Sequence, residues 1–207
     1  LNLMEKRGVY LEEARTKHSR PLVWDGWQTP NQNFDRHSYQ KGAVVLHMLR
    51  WIMGDEPFRN AVKRLLEKHA YSTAGARDFL AAIRESTGQR LDEFFDQWIY
   101  RAGHPVLDVS WEWVESTKVA RLKVLQRQAP VFETPVDVGI VTAGGRKVHR
   151  LRIDAKEEQS FEIACDSKPL LVRFDEGDHL LMELRFDKSV DELVFQLQHD
   201  DAMGRLW

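Results

Sequence analysis

The sequence predicts an α+β protein: an N-terminal helical region, then an antiparallel β-sandwich, then the start of a C-terminal helical array. Three observations carry that expectation. Up to Gly103-His104-Pro105 the apolar residues recur at helical spacing. Beyond it they alternate with period two through seven or eight short segments, the pattern of a sandwich. From Ser189 the helical period returns. The expected division is residues 1–104, 105–187 and 188–207.

Taken in order, the charged stretch Tyr10 to Arg20 reads as the end of a helix. Pro21 to Asn33, with Pro21, Gly26 and Pro30, reads as a loop docked by Trp24 and Trp27. Ser38 can cap a helix running through Met53, apolar nearly all round and therefore buried. A second helix sets Phe58, Val62, Leu65, Leu66 and His69 on one face. A third turns Phe79, Leu80 and Ile83 inward and stops at Thr87-Gly88. A fourth repeats Leu91, Phe94, Phe95, Trp98 and Ile99, and Gly103 and Pro105 end it.

The strands begin with Leu107, Val109, Trp111 and Trp113, whose two tryptophans are expected in the sandwich core or where it meets the helices. Ala143-Gly144-Gly145-Arg146 is a hairpin turn signal. Ser189 and Glu192 fit a capping box, opening a helix with the stripe Val190, Leu193, Val194 and Leu197. A further helix is expected from Asp201 toward Trp207.

Composition narrows the function classes. The chain has 207 residues, with 30 Lys+Arg against 32 Asp+Glu and a formal net charge of −2. That balance gives no general attraction to nucleic acid or to an anionic membrane, so no nucleic-acid partner is expected. No apolar run is long enough to span a bilayer. The single cysteine, Cys165, excludes an intrachain disulfide and a thiolate-rich zinc cluster, and its place on the apolar side of a strand suggests an inert thiol. The start, Leu1-Asn2-Leu3-Met4, lacks an initiator Met, and the chain reads as a piece of a longer protein.

Self-contained catalytic motifs are missing: there is no His-Glu-x-x-His, Gly-x-Ser-x-Gly or P-loop. Asp175-Glu176-Gly177-Asp178-His179 and His199-Asp200-Asp201 read as solvated acidic turns, because neither has the liganding pattern of a calcium loop. His37, His47, His69 and His104 read as packing histidines. The segment Phe34-Asp35-Arg36-His37-Ser38-Tyr39-Gln40-Lys41-Gly42-Ala43 is more informative. On residue type alone, a packing role for Tyr39 comes first. A phenol held at the first turn of a buried helix is also a neutral donor at pH 7, suited to an oxyanion.

That segment is followed by Leu46-His47-Met48-Leu49-Arg50, Gly54-Asp55-Glu56-Pro57-Phe58, His69-Ala70-Tyr71, Phe95-Asp96-Gln97-Trp98 and Gly103-His104-Pro105-Val106-Leu107. In this order they closely resemble the M1 family of zinc aminopeptidases. The resemblance implies that the helical region ends a thermolysin-like catalytic domain and that the final helix leads into HEAT-like repeats. It places Tyr39 where the family has the Tyr that donates to the tetrahedral intermediate; Gln40 stands where the family usually has Glu. It puts the zinc ligands, the general-base Glu and the amine-anchoring Glu upstream of Leu1. The implied function is removal of N-terminal residues from peptides by a zinc-dependent full-length protein. Tyr39 is then the one catalytic residue supplied here, the metal ligands expected in this stretch are none, and the isolated chain is expected to be inactive. The alternative is an M1-like protein that has lost zinc and serves as a scaffold or interaction module.

Overall fold

A computed structural model describes residues 2–201 and 204–206. The chain divides into two compact units, Asn2–Gly103 and His104 onward.

The first unit is helical: α1 (Asn2–Thr16), a π turn (His37–Lys41) continuous with α2 (Gly42–Met53), α3 (Asp55–Lys68), α4 (Ala76–Thr87) and α5 (Asp92–Trp98). Its core is Tyr10, Val44, Val45, Met48, Leu49, Ala82, Ile83, Phe95 and Trp98, each at most 1% exposed. Gly54 lies between α2 and α3 at φ 90°, and Gly88 ends α4 at φ 71°, both in a region that L side chains rarely adopt. Leu46 and Leu66 are exposed, so neither helix buries its full apolar surface. Trp24 is half-buried beneath the Arg20 guanidinium, 5.2 Å from its ring centroid, whereas Trp27 is exposed and does not dock the loop.

Among the described residues the second unit holds seven strands: β1 (Val106–Val114), β2 (Val119–Gln126), β3 (Thr134–Thr142), β4 (Gly145–Ile153), β5 (Glu158–Ala164), β6 (Leu171–Phe174) and β7 (Glu183–Phe186), followed by α6 (Val190–His199). They form two sheets, ordered β5-β2-β1-β7 and β4-β3-β6. The Ala143-Gly144 turn joins β3 to β4, with Thr142 opposite Gly145. All pairings are antiparallel except one: β7 lies parallel to β1, Val106 opposite Glu183. Val109, Leu122, Val124, Val136, Val138, Ile140, Leu171 and Val172 fill the buried faces.

Three expectations change here. Trp111 and Trp113 are only half-buried and stand outside this core; the Trp111 indole donates to Glu192 Oε1 of α6 (3.0 Å). The Ser189–Glu192 capping box forms, but α6 turns Val190, Leu193, Val194 and Leu197 outward and buries Glu192 and Gln196. Lys188 Nζ donates to Gln196 Oε1 (2.6 Å), and the Gln196 amide donates to Gly204 O, so a polar contact chooses the inward face. Of the helix expected from Asp201, residues 204–206 form a 3-10 turn, and residues 202, 203 and 207 lie outside the described residues.

The acidic runs are not solvated turns. Asp175, Asp178 and Asp200 are buried, and Arg173, on the fully buried strand β6, pairs with the last two. Its guanidinium reaches Asp178 Oδ2 at 2.8 Å, Asp201 Oδ2 at 3.1 Å and Asp200 Oδ1 at 3.3 Å. Arg146 bridges Glu176 and Asp200. Asp175 accepts the His179 and Leu180 N–H groups, which closes the turn. Gly139, in mid-strand β3, leaves room for this network: a Cβ there would collide with the Glu176 carboxylate.

Candidate active site

Tyr39 sits midway along the π turn, a rare geometry that is frequent at functional sites. Its ring is 57% exposed although α2, which follows directly, is buried on Val44, Val45, Met48 and Leu49. It lines a cavity of about 1140 Å³, with Phe34, His18, Arg36, Lys6 and Trp24 among the walls. Phe34 is the ring beside it, at 6.2 Å between centroids. The Tyr39 ring therefore faces this cavity rather than packing in the core.

The entry to the π turn is fastened from two directions. Asp35, and not Ser38, caps it: Asp35 Oδ1 accepts the Ser38 N–H (3.0 Å). Arg20 then grips Asp35 with both arms of its fork, Nε to Oδ2 (2.8 Å) and Nη2 to Oδ1 (2.7 Å), and Nη2 also donates to Ser38 Oγ (2.9 Å). Its Nη1 donates to Pro21 O at 2.7 Å and Leu22 O at 3.3 Å, so this buried guanidinium ties the loop to the turn. From α1, Glu13 Oε1 accepts the Arg36 N–H (3.0 Å). At the far end Lys41 is buried, donates to Gly103 O (3.2 Å) and lies 5.7 Å from the Tyr10 ring centroid. Burial, with Arg20 nearby, lowers its pKa to about 8.

His37 is the first residue of the turn and is fully buried. Its Nε2 accepts the Arg20 backbone N–H (3.2 Å), so the neutral ring carries its proton on Nδ1. That Nδ1 faces Glu13 Oε1 at 3.4 Å and Asp35 Oδ2 at 3.6 Å without a hydrogen bond. The ring stacks on His18 and meets Tyr10 edge-on, both at 5.1 Å. Burial lowers the His37 pKa from 6.5 to about 4, against the opposing pull of Asp35. Burial alone would raise the Asp35 and Glu13 carboxyls; hydrogen bonds from Arg20 and Ser38 to the first, and from Arg36 and Lys17 to the second, outweigh it and hold both below their ordinary values.

The family resemblance implies zinc, and among the described residues one group comes close to a metal cage. Glu13, His18, Asp35 and His37 offer ligand atoms within 4.8 Å of one another. Their chemistry does not fit the ion. A metal-ligating imidazole nitrogen needs a free lone pair, and His37 Nδ1 holds the proton. Asp35 already faces the Arg20 fork and Glu13 faces Lys17 at 3.3 Å, so added positive charge is opposed. The group is a hydrogen-bonding and ion-pairing clamp, and no step of the chemistry below runs through a metal held there.

Sequence reasoning singled out Tyr39 but missed Arg20, Glu13 and the capping role of Asp35. Asp35 three residues before Ser38 was a legible cap signal. Arg20 lies 15 residues away from Asp35 and carried no signal of its own.

The peptidase family M1 domain matches residues 3–98. Through those residues the chain belongs to peptidase family M1. A probable aminopeptidase 2 of Sulfurisphaera tokodaii is 33% identical over 150 residues, covering 70% of this chain and 18% of that protein. A tricorn protease-interacting factor F2 of Thermoplasma volcanium is 32% identical over 146 residues, covering 70% of this chain and 19% of that protein. The chain thus spans about a fifth of the length of these relatives. The crystal structure of Legionella pneumophila aminopeptidase A in complex with aspartic acid shares the fold, with a TM-score of 0.79 at 20% identity, over 98% of this chain and 25% of that one.

The clamp predicts acid sensitivity in the helical unit. His37 has a folded pKa below its unfolded value, so the unfolded state binds more protons as pH falls from 6.5 through about 4. Stability from His37 is therefore present above pH 6.5 and lost as pH falls through about 4; the full gap corresponds to about 3 kcal/mol. Asp35 and Glu13, held low, act in the same direction. Urea melts followed by tryptophan fluorescence should show the midpoint falling between pH 7 and 4.5, with a flatter profile for His37→Gln. An equally steep profile in that variant would assign the acid sensitivity to other groups.

Proposed function

We propose that this M1 segment supplies the oxyanion-stabilising phenol, Tyr39, of an aminopeptidase that hydrolyses N-terminal residues from peptides. The observation that carries the reading is the placement of Tyr39: on a π turn, at the start of a buried helix, yet open to the large cavity. The relatives named as aminopeptidases support it. Attack on a peptide carbonyl puts negative charge on its oxygen, and a fixed neutral O–H stabilises that charge more than it stabilises the ground-state carbonyl. The zinc that the family implies would be held by residues upstream of Leu1, as would the general base, and the isolated chain would then be inactive. Residues 188–207 would lead into further helices.

Tyr39→Phe in the full-length protein tests the reading. It keeps the ring and removes only the hydroxyl. Loss of one oxyanion donor costs about 10²–10³ in kcat, while KM moves much less. Steady-state kinetics on an aminoacyl reporter, with zinc content measured alongside, should show that loss at full zinc. Near-parental kcat at full zinc would make Tyr39 a packing residue. A parental protein with neither zinc nor activity would favour the scaffold alternative.

A further inference from the structure

We propose that Arg20 is a positioning residue for Tyr39: through Asp35 and Ser38 it locks the π turn in the register that aims the phenol into the cavity. The inference rests on the proposed role of Tyr39.

The geometry of the turn is the starting point. A π turn is less favourable than a continued α-helix and persists where something holds it. Here the holding groups converge on its entry. Ser38, adjacent to Tyr39, is held at its N–H by Asp35 and at its hydroxyl by Arg20. Asp35 in turn is held on both oxygens by the same guanidinium. Arg20 is 4% exposed and its remaining donors go to Pro21 O and Leu22 O, so its fork cannot swing without breaking several bonds at once. His37 adds a further tie, because its Nε2 takes the Arg20 backbone N–H. The side chain and main chain of Arg20 thus each grip a residue of the turn. None of these groups needs to touch substrate. They act by limiting where the Tyr39 hydroxyl can be.

Lys cannot reproduce the grip. It keeps the positive charge but offers a single ammonium in place of the planar fork, so it cannot hold both Asp35 oxygens and Ser38 Oγ in one geometry. A displacement of about 1 Å at a reacting group costs on the order of 10²-fold in rate.

The test is a double-mutant cycle on the full-length protein, combining Arg20→Lys with Tyr39→Phe. Arg20→Lys alone should lower kcat by about 10- to 100-fold with KM within about twofold. In the Tyr39→Phe background the same substitution should cost at most about twofold in kcat, because the hydroxyl it positions is already gone. Ser38→Ala removes only the Oγ contact and should give a smaller loss with the same non-additivity; it keeps the test decisive if Arg20→Lys fails to fold. Multiplicative losses beside a large Tyr39→Phe effect would overturn the positioning role of Arg20 and leave the Tyr39 reading intact. Near-parental kcat for Ser38→Ala and Arg20→Lys, with Tyr39→Phe impaired, would also overturn it. A Tyr39→Phe protein with near-parental kcat would overturn both.

Discussion

Arg173→Met is expected to destabilise the His104-onward unit by about 3–5 kcal/mol, the cost of removing one partner from a buried charge cluster. The methionine fills much of the volume but leaves the buried carboxylates of Asp178 and Asp200 facing each other without the guanidinium between them. Arg146 still reaches Asp200 and Glu176, so not every carboxylate of the network is left uncompensated. The damage should extend to α6, because Asp200 terminates that helix and donates its backbone N–H to Gln196 O. Denaturant unfolding of the chain, read by far-UV circular dichroism, checks it. A midpoint within experimental error of the parental value would show that the acidic turns are held by solvent and Arg146 alone. Arg173→Lys should recover part of the loss, since it restores the charge without the fork.

Trp98→Ala is expected to cost the Asn2–Gly103 unit a comparable amount, about 3–5 kcal/mol, because it opens a large cavity in a packed core. Trp98 is 1% exposed and lies 6.2 Å from the Phe94 ring, which itself meets Phe95. Phe95 continues the aromatic chain to Phe79 of α4. The hole therefore opens beside the buried Phe94 and Phe95 rings of α5, in the core of the helical unit. A fall in melting temperature of about 10 °C or more is the expected readout. A melt unchanged by the substitution would contradict the helical register from Asp92 to Trp98.

Both effects fall on residues whose sequence signals differed in clarity. Trp98 was legible: it occupies the i+7 place of a stripe starting at Leu91, and such a stripe has one outcome when the helix packs. Arg173 was misread by way of its partners. Runs such as Asp175 to Asp178 look solvated when taken alone, because polarity in sequence says nothing about which cation folds back onto it. The available clue was Arg173 itself, an arginine within Leu171-Val172-Arg173-Phe174. A charge on a wholly buried strand must be paired.

By itself the sequence determined the helix-to-strand switch near Gly103, the β3–β4 hairpin, the Ser189 capping box and the segment around Tyr39 that carries the M1 resemblance. Those signals are local: hydrophobic period, turn chemistry and capping act over a few residues, so a reader of the chain can recover them. Only the tertiary structure decided which face of α6 turns inward, that β7 runs parallel to β1, and that Arg20 and Glu13 clamp the turn bearing Tyr39. Each depends on groups far apart in sequence whose pairing is set by packing geometry. A period identifies a stripe but not the surface that covers it, and a lone arginine or glutamate does not reveal its partner until the chain has folded.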